Sequence, residues 1–181
     1  MKPTTPIDPA LRMKYCPIVR SLARVGERWS ILILRDAFYG ITRFDDFVNS
    51  LQIAPNMLTR RLTSLVEDGL LERRQYSEKP PRYEYVLTPL GHDFRPVLLA
   101  LVTWGNHNFA EEGRSVVLKE RETGRQVDPV LIDSASGKPI TEVDYVLVQG
   151  TPPARAAKGA PASARARARA PAPAPAPARR G

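Results

Sequence analysis

Residues 43–87 have the sequence RFDDFVNSLQIAPNMLTRRLTSLVEDGLLERRQYSEKPPRYEYVL, in which a helical spacing of apolar residues gives way to the alternation of strands. The helical spacing runs through residues 43–51 and again from Pro55 onward, which predicts two amphipathic helices. Pro55 suits the first position of the second helix, and Gly69 suits its C-terminal end. Residues 71–76 and 82–87 alternate as strands around a polar, proline-rich loop, which predicts a hairpin.

The segments on either side of this stretch predict further helices. Upstream, the apolar residues of 18–29 form one stripe, and a more deeply buried helix continues from residue 29 to about Gly40. Downstream, Thr88 and Pro89 suit the cap and first position of a long helix that extends to about residue 112. Pro96 should kink that helix. The predicted order is therefore four helices, two strands and a long helix.

The chain beyond residue 112 has a different character. Segments 127–132 and 143–148 are similar to each other, lie sixteen residues apart and each follow a glycine turn. This pattern predicts a small antiparallel β appendage of three or four strands at 113–150. Residues 151–181 are rich in alanine, proline and arginine and contain no large apolar side chain, so we expect a disordered tail.

Charge and composition exclude several classes of protein. The net charge is +8, and seven basic residues of the tail account for nearly all of it. The single cysteine, Cys16, excludes a disulfide framework and fits a reducing compartment. We expect no membrane span and no signal peptide. His92 and His107 show no metal-ligand spacing, and no nucleotide-binding or hydrolase motif occurs, so we expect neither enzyme activity nor a cofactor or metal.

The helix that begins at Pro55 has two chemically different sides. At 100° per residue, the leucines at 58, 62 and 65 share one side. The other side carries Asn56, Thr59, Arg60 and Thr63. Arginine can bind guanine through two hydrogen bonds, asparagine can bind adenine, and threonine can contact the thymine methyl group. With the preceding helix, this pattern predicts a helix-turn-helix that reads the major groove of double-stranded DNA. The alternative is an amphipathic helix whose polar side only faces water.

Basic residues also flank this helix in the sequence. Arg43 precedes the first helix of the pair. Arg73, Arg74, Lys79 and Arg82 surround the hairpin loop, with Glu78 the only acid among them. A basic hairpin of this kind can lie along phosphates or in the minor groove. We therefore expect Arg43, Arg74, Lys79 and Arg82 to contact DNA together with the polar side of the helix.

Seven motifs in order carry a resemblance to a known family: CPI at 16–18, VGERWSILILR at 25–35, RF at 43–44, MLTRRL at 57–62, DGLLER at 68–73, YVLTPLG at 85–91 and WG at 104–105. Through them, residues 14–112 resemble the HxlR-type winged-helix transcriptional regulators. The resemblance implies a winged helix-turn-helix fold and a dimeric bacterial regulator, which we expect to be a repressor, on a pseudo-palindromic operator. Ala54 departs from the serine that is usual there, which removes a capping bond of about 1 kcal/mol.

The long helix carries the residues expected at a dimer interface. Its apolar side is too large for one small core to cover, so a second copy is the natural cover. The residues expected there are Leu90, Phe94, Leu98, Leu101 and Trp104.

Cys16 precedes Pro17 and is expected at the N-cap of the first helix, where unpaired amides favour a thiolate. The resemblance implies that this thiol can sense oxidants or electrophiles. The alternative is a small hydrophobic residue that fills a gap at the dimer surface. No residue identifies a small-molecule effector.

Two further functions stay open at this point. The first is an architectural, nucleoid-type DNA-binding protein in which the basic tail dominates and sequence specificity is slight. The second is a winged helix that binds another protein and no DNA. The leading hypothesis remains a cytoplasmic, nucleoid-associated regulator with a DNA-binding and dimerisation domain at 1–112.

Overall fold

The computed structural model describes residues 16–111, 113–141 and 143–147. The tail expected at 151–181 lies outside these ranges. All described residues fall within one unit of the chain.

The N-terminal part contains two helices, α1 (Pro17–Val25) and α2 (Arg28–Phe38). The single stripe expected over residues 18–29 is therefore wrong at its end, because Trp29 belongs to the next helix. The break occurs at Gly26, whose amide donates to the Leu22 carbonyl at 2.7 Å. A side chain at this position would place its Cβ 2.3 Å from the same oxygen, so the close approach requires glycine.

The two predicted amphipathic helices are present as α3 (Phe44–Leu51) and α4 (Pro55–Glu67). Gln52 adopts a left-handed conformation (φ 50°) at the end of α3 and turns the chain toward α4. Ala54 caps α4 without a side-chain hydrogen bond, as expected of alanine. Gly69, with φ 72°, follows the end of α4 and reverses the chain.

The hairpin consists of β1 (Leu71–Glu78) and β2 (Pro81–Leu87), paired antiparallel. Both strands are longer than the sequence predicts, and the expected loop at 77–81 shrinks to the turn at Lys79–Pro80. Ser77 pairs with Arg82 because its hydroxyl donates to the Pro80 carbonyl at 3.1 Å and closes the turn. The amide of Tyr85 also donates to the Thr42 carbonyl at 2.7 Å, which attaches the hairpin to the start of α3.

The long helix expected from Thr88 to residue 112 is instead two helices, α5 (Pro89–His92) and α6 (Arg95–Asn108). The expected kink at Pro96 becomes a full break, because a proline there cannot donate to the carbonyl one turn earlier. Thr88 caps α5 as predicted, since its hydroxyl oxygen accepts from the Gly91 amide at 3.1 Å. The same hydroxyl donates to the Gly69 carbonyl at 2.6 Å and joins α5 to the end of α4.

One hydrophobic core lies between α2, α3, α4 and the base of the hairpin. Its fully buried side chains are those of Ile33, Leu34, Phe47, Leu58, Leu62 and Leu65. Burial of side chains this large is the main stabilising contribution to the helix-turn-helix and fixes the angle between α3 and α4.

The appendage has fewer strands than the three or four expected. The structure describes one short pair, β3 (Leu118–Lys119) with β4 (Gln126–Val127), and an isolated bridge between Ile132 and Pro139. Residues 143–147 form no strand. Isolated pairs this short are marginal, because the apolar side chains of the appendage, among them Leu131, Ile132 and Val143, stay exposed and stabilise no longer strand.

The repeat in the appendage also differs from the expected one. Two turns with a shared pattern lie thirteen residues apart, at 120–125 and 133–138. In the first turn the Thr123 hydroxyl donates to the Glu120 carboxylate at 2.6 Å, and in the second the Ser136 hydroxyl donates to Asp133 at 2.6 Å. The hydrogen bond from Ser136, followed by that from the Ala135 amide, holds the pKa of Asp133 below its usual value.

Candidate nucleic-acid interface

Helix α4 presents one apolar and one polar side. Leu58, Leu62 and Leu65 are fully buried. The side chains on the opposite side are all exposed: Asn56, Thr59, Arg60 and Thr63. The Thr59 hydroxyl donates to the Pro55 carbonyl at 3.0 Å, which turns its oxygen inward and leaves its methyl group outward. The outer side of α4 therefore offers an amide, a guanidinium group and two threonines to a groove-sized partner.

Two ion pairs connect α4 to α1 and to the start of α2. Arg61 Nη2 lies 3.2 Å from Glu27 Oε2 at the start of α2. Arg24 Nε lies 3.9 Å from Asp68 Oδ1 at the C-terminal end of α4. These pairs add lateral restraint to the leucine contacts, so that the exposed side of α4 keeps a fixed orientation.

Helix α3 is fixed by a buried carboxylate. Asp36 on α2 is 1% exposed and accepts from the Ser50 hydroxyl at 2.7 Å and from Arg35 Nε at 2.8 Å. A buried charge is tolerated only when such partners satisfy it. The contact between Asp36 and Ser50 sets the position of α3 relative to α2.

A cleft of about 460 Å³ separates the hairpin from the helix-turn-helix. Its walls combine three arginines with aromatic rings, and the exposed Thr59 of α4 also lines it. Asp45 and Asp46, in the first turn of α3, also line it. The basic and aromatic residues that line the cleft are Arg43, Phe44, Arg73, Tyr76, Arg82, Tyr83 and Tyr85.

The register of the hairpin sends Arg73 and Arg74 to opposite sides. Arg73 pairs with Tyr85, on the same side as the buried Leu71, and lines the cleft. Arg74 pairs with Glu84 on the other side, and its Nη2 lies 3.6 Å from Glu72 Oε2. The structure thus brings Arg43, Thr59 and Arg82 together in the cleft, and it places the predicted Arg74 away from them.

The other predicted contact residues lie at the edges of this surface. Lys79 occupies the exposed turn of the hairpin, next to the exposed Arg82. Sequence analysis placed Arg73 among the basic residues around the hairpin loop but not among the expected DNA contacts, and it did not select the tyrosines of the cleft. The alternation of strands could have identified Arg73, because Leu71 and Arg73 share a side in any unbulged strand.

Beyond the helix-turn-helix, α6 contains no buried residue. Among the residues expected at a dimer interface, Leu90 is 51%, Leu101 40% and Trp104 59% exposed. Phe94 and Leu98 are half-buried, and Phe94 packs against the core. The Trp104 ring contacts the Phe109 ring edge-on, with centroids 4.9 Å apart.

Cys16 lies where the sequence predicts, at the N-cap of α1. Its side chain is half-buried and makes no capping hydrogen bond. Within the described ranges, no group of histidine, cysteine, aspartate or glutamate side chains is arranged to hold a metal ion, and no helix is long and apolar enough to cross a membrane.

Comparison with known proteins agrees with this geometry. The model of the HxlR-like helix-turn-helix family matches residues 24–113. Rv3095 of Mycobacterium tuberculosis, named as an uncharacterized HTH-type transcriptional regulator, is 42% identical over 67% of this chain and 78% of its own length. The chain is therefore similar to transcriptional regulators throughout the part that contains the helix-turn-helix and the hairpin.

Two solved structures extend the similarity. PA1374 of Pseudomonas aeruginosa, assigned as a transcription factor, is 56% identical with a TM-score of 0.56, over 77% of this chain and 94% of that one. PA1607, also assigned as a transcription factor, is 36% identical with a TM-score of 0.68, over 78% and 99%. Each of these two alignments covers a larger part of the chain than residues 1–112 occupy. The similarity therefore extends beyond residues 24–113, which the family model matches.

Proposed function

This chain belongs to the HxlR-like helix-turn-helix family of transcriptional regulators, and from that premise we propose that it binds a pseudo-palindromic operator sequence-specifically as a homodimer. The observation that carries the proposal is the outer side of α4, where Asn56, Thr59, Arg60 and Thr63 are exposed over a fully buried row of leucines. A side chain that reads a base edge must be exposed and rigidly supported, and α4 meets both requirements.

The hairpin, which is the wing of the winged-helix fold, and the start of α3 supply contacts to the DNA backbone. Arg43, Lys79 and Arg82 are exposed and make no ion pair with a described carboxylate. Such residues increase affinity for all sequences and position the protein on the duplex. Arg74 is expected from the sequence to contact DNA, but its side chain lies on the other side of the hairpin and is paired with Glu72, so we leave it out of the proposed set of contacts.

A homodimer follows from the exposed side of α6. Apolar patches on a protein surface commonly mark interaction sites, and a two-fold axis places the same patch on both subunits. Leu90, Leu101 and Trp104 would form the centre of the interface, with Phe94 and Leu98 at its inner edge. Two copies of α4 would then face two half-sites about one turn of DNA apart.

The regulatory part of the proposal concerns Cys16 and repression. The half-buried thiol of Cys16 lies at the N-cap of α1. Each chain has one cysteine, so oxidation would give an intermolecular disulfide or a mixed disulfide with a small thiol. A dimer that occupies its operator and is released by oxidation acts as a repressor.

The second candidate function is an architectural DNA-binding protein with slight specificity. The basic tail favours it, since seven positive charges without an acid bind any duplex. The two functions differ in the ratio of affinities for a specific and a random duplex, which is about 10³ or more for a specific regulator.

Selection of bound sequences from random duplex DNA, with and without diamide, tests the proposal. A regulator should enrich a two-fold symmetric sequence, and diamide should change its affinity in the wild type but leave Cys16→Ser unaffected. Enrichment of no sequence would favour the architectural function. An equal diamide response in both proteins would rule out sensing by the thiol.

A further inference from the structure

Arg73 occupies an unusual position in the cleft between the hairpin and the helix-turn-helix. Its guanidinium carbon lies 3.5 Å from the centroid of the Tyr83 ring. This close stacking engages the face of the guanidinium group and leaves its N–H edges free to donate. Arg43, which precedes α3, also contacts the hairpin: its guanidinium carbon lies 4.9 Å from the centroid of the Tyr76 ring. Both arginines are therefore held in place before any ligand arrives.

The charges in the cleft are not balanced by ion pairs. Among the residues that the structure describes, Arg43, Arg73 and Arg82 each line the cleft without a carboxylate at ion-pair distance. Asp45 and Asp46 line the same cleft, so the walls carry a small positive excess. A positive excess this small matches the single charge of one phosphate diester better than the charge of several adjacent phosphates. The two aspartates lie in the first turn of α3, where the helix dipole stabilises their own charges.

We propose that this cleft binds one phosphate of the DNA backbone, between the bases contacted by α4 and the part of the duplex under the wing, and that Arg73 is its main ligand. The inference rests on the proposed DNA-binding function and adds a contact that the family match does not assign. Thr59 of α4 also lines the cleft, so a phosphate bound there would lie beside the exposed side of α4 and would limit how far α4 enters the groove.

The adjacent residue, Arg74, provides a matched control. It carries the same charge one position later in β1, but it lies on the other side of the hairpin and is paired with Glu72. Its loss changes the net charge of the protein by the same amount as the loss of Arg73. A difference between the two variants therefore reports the position of the charge.

The test measures the affinity of the full-length chain for its selected operator and for random duplex over a range of salt concentrations. Arg73→Gln should weaken binding to both by the same factor, roughly tenfold for one charge-assisted hydrogen bond. The slope of log K against log salt should fall by about 0.9, the value for one phosphate contact. Arg73→Lys should retain the slope, because the positive charge remains. Arg74→Gln should change neither quantity by a comparable amount.

Two outcomes would overturn the proposal: an Arg73→Gln protein with unchanged affinity and slope, or an Arg74→Gln protein that loses as much as Arg73→Gln. Thermal unfolding of each variant shows whether the fold is retained. If Arg73→Gln unfolds at a lower temperature than the wild type, Arg73→Lys is compared with the wild type instead. A folded Arg73→Lys protein whose slope of log K against log salt is reduced would contradict a contact made by the positive charge. A wild-type protein that binds no duplex would refute the proposed function itself, which separates that failure from failure of the Arg73 site.

The role of stacking has its own test. Tyr83→Phe keeps an aromatic ring under the Arg73 guanidinium group, whereas Tyr83→Leu removes it. Tyr83→Leu should therefore weaken binding to both duplexes severalfold, and Tyr83→Phe should bind like the wild type. Equal losses in the two variants would show that the ring does not preorganise Arg73.

Discussion

Helices α4 and α6 are nearly equal in length, with 13 and 14 residues, yet they are buried to very different extents. Helix α4 buries three leucines completely, whereas α6 buries no residue although Val97, Leu101 and Trp104 lie along it. Apolar content alone therefore does not decide burial. Helix α4 has α2, α3 and the hairpin around it within one chain, while α6 has few neighbours. The comparison indicates that α4 is supported by its own chain and that α6 is suited to packing against a second one.

The largest expected effect concerns α4, the helix that its own chain supports. Leu62→Ala should lower the free energy of unfolding by about 2–5 kcal/mol, because it leaves a cavity under α4. Urea denaturation at several protein concentrations measures the loss, which should be the same at each concentration. A loss that grew on dilution would place Leu62 at an interface between chains.

The next effect concerns α6. Trp104→Asp should weaken dimerisation by at least about 2 kcal/mol, because it puts a charge at the centre of the apolar side. Sedimentation should then show monomers at micromolar concentration, and operator affinity should fall because only one half-site is engaged. Trp104→Phe, which keeps an aromatic ring, should stay dimeric. A wild type that is itself monomeric at micromolar concentration would contradict the role given to α6.

A smaller gain is expected at the start of α4. Ala54 gives its helix no side-chain cap, so Ala54→Ser should stabilise the protein by about 1 kcal/mol. Thermal unfolding measures the change, with Ala54→Val as a control that supplies no hydroxyl and is as poor an N-cap residue as alanine. If Ala54→Ser is no more stable than the wild type, the terminal amides of α4 already have other partners.

The smallest effect on the fold is expected from removal of residues 151–181. This segment has no large apolar side chain, so truncation after Gly150 should leave the unfolding free energy within about 0.5 kcal/mol of the full chain. Its seven positive charges should affect the affinity for DNA and not the stability of the fold. Truncation should lower the salt slope by up to about 6 without changing the ratio of specific to random affinity. Identical slopes would show that the segment does not contact DNA.

Sequence patterns were sufficient where the decisive interactions are local. The leucines of α4, Pro55 at its start and Gly69 after its end predicted the helix and its orientation, because each acts within a few residues. The cap formed by Thr88 was predicted for the same reason. The two breaks also have local causes, the close approach of Gly26 to the Leu22 carbonyl and the missing donor at Pro96, but the sequence does not show whether such a residue bends a helix or ends it.

Tertiary register decided the rest of the candidate site. Arg73 and Arg74 are adjacent and identical in type; strand alternation puts Arg73 on the side of the buried Leu71, and the structure shows that this side lines the cleft. The stacking on Tyr83 is likewise invisible without that register. In the appendage, the two glycine turns were predicted and are present, but the similar segments 127–132 and 143–148 do not form the expected strands; each turn is held by a hydroxyl-to-carboxylate hydrogen bond.

The central claim is that the outer side of α4 reads bases, and the base preference of Arg60→Ala tests it most directly. Arg60 is exposed on that side and makes no ion pair with any described carboxylate. Selection from random duplex should show that Arg60→Ala loses its preference at one position in each half-site, with a loss of about 1–3 kcal/mol on the wild-type operator. An unchanged preference at every position, with wild-type affinity, would contradict the orientation of α4 toward DNA.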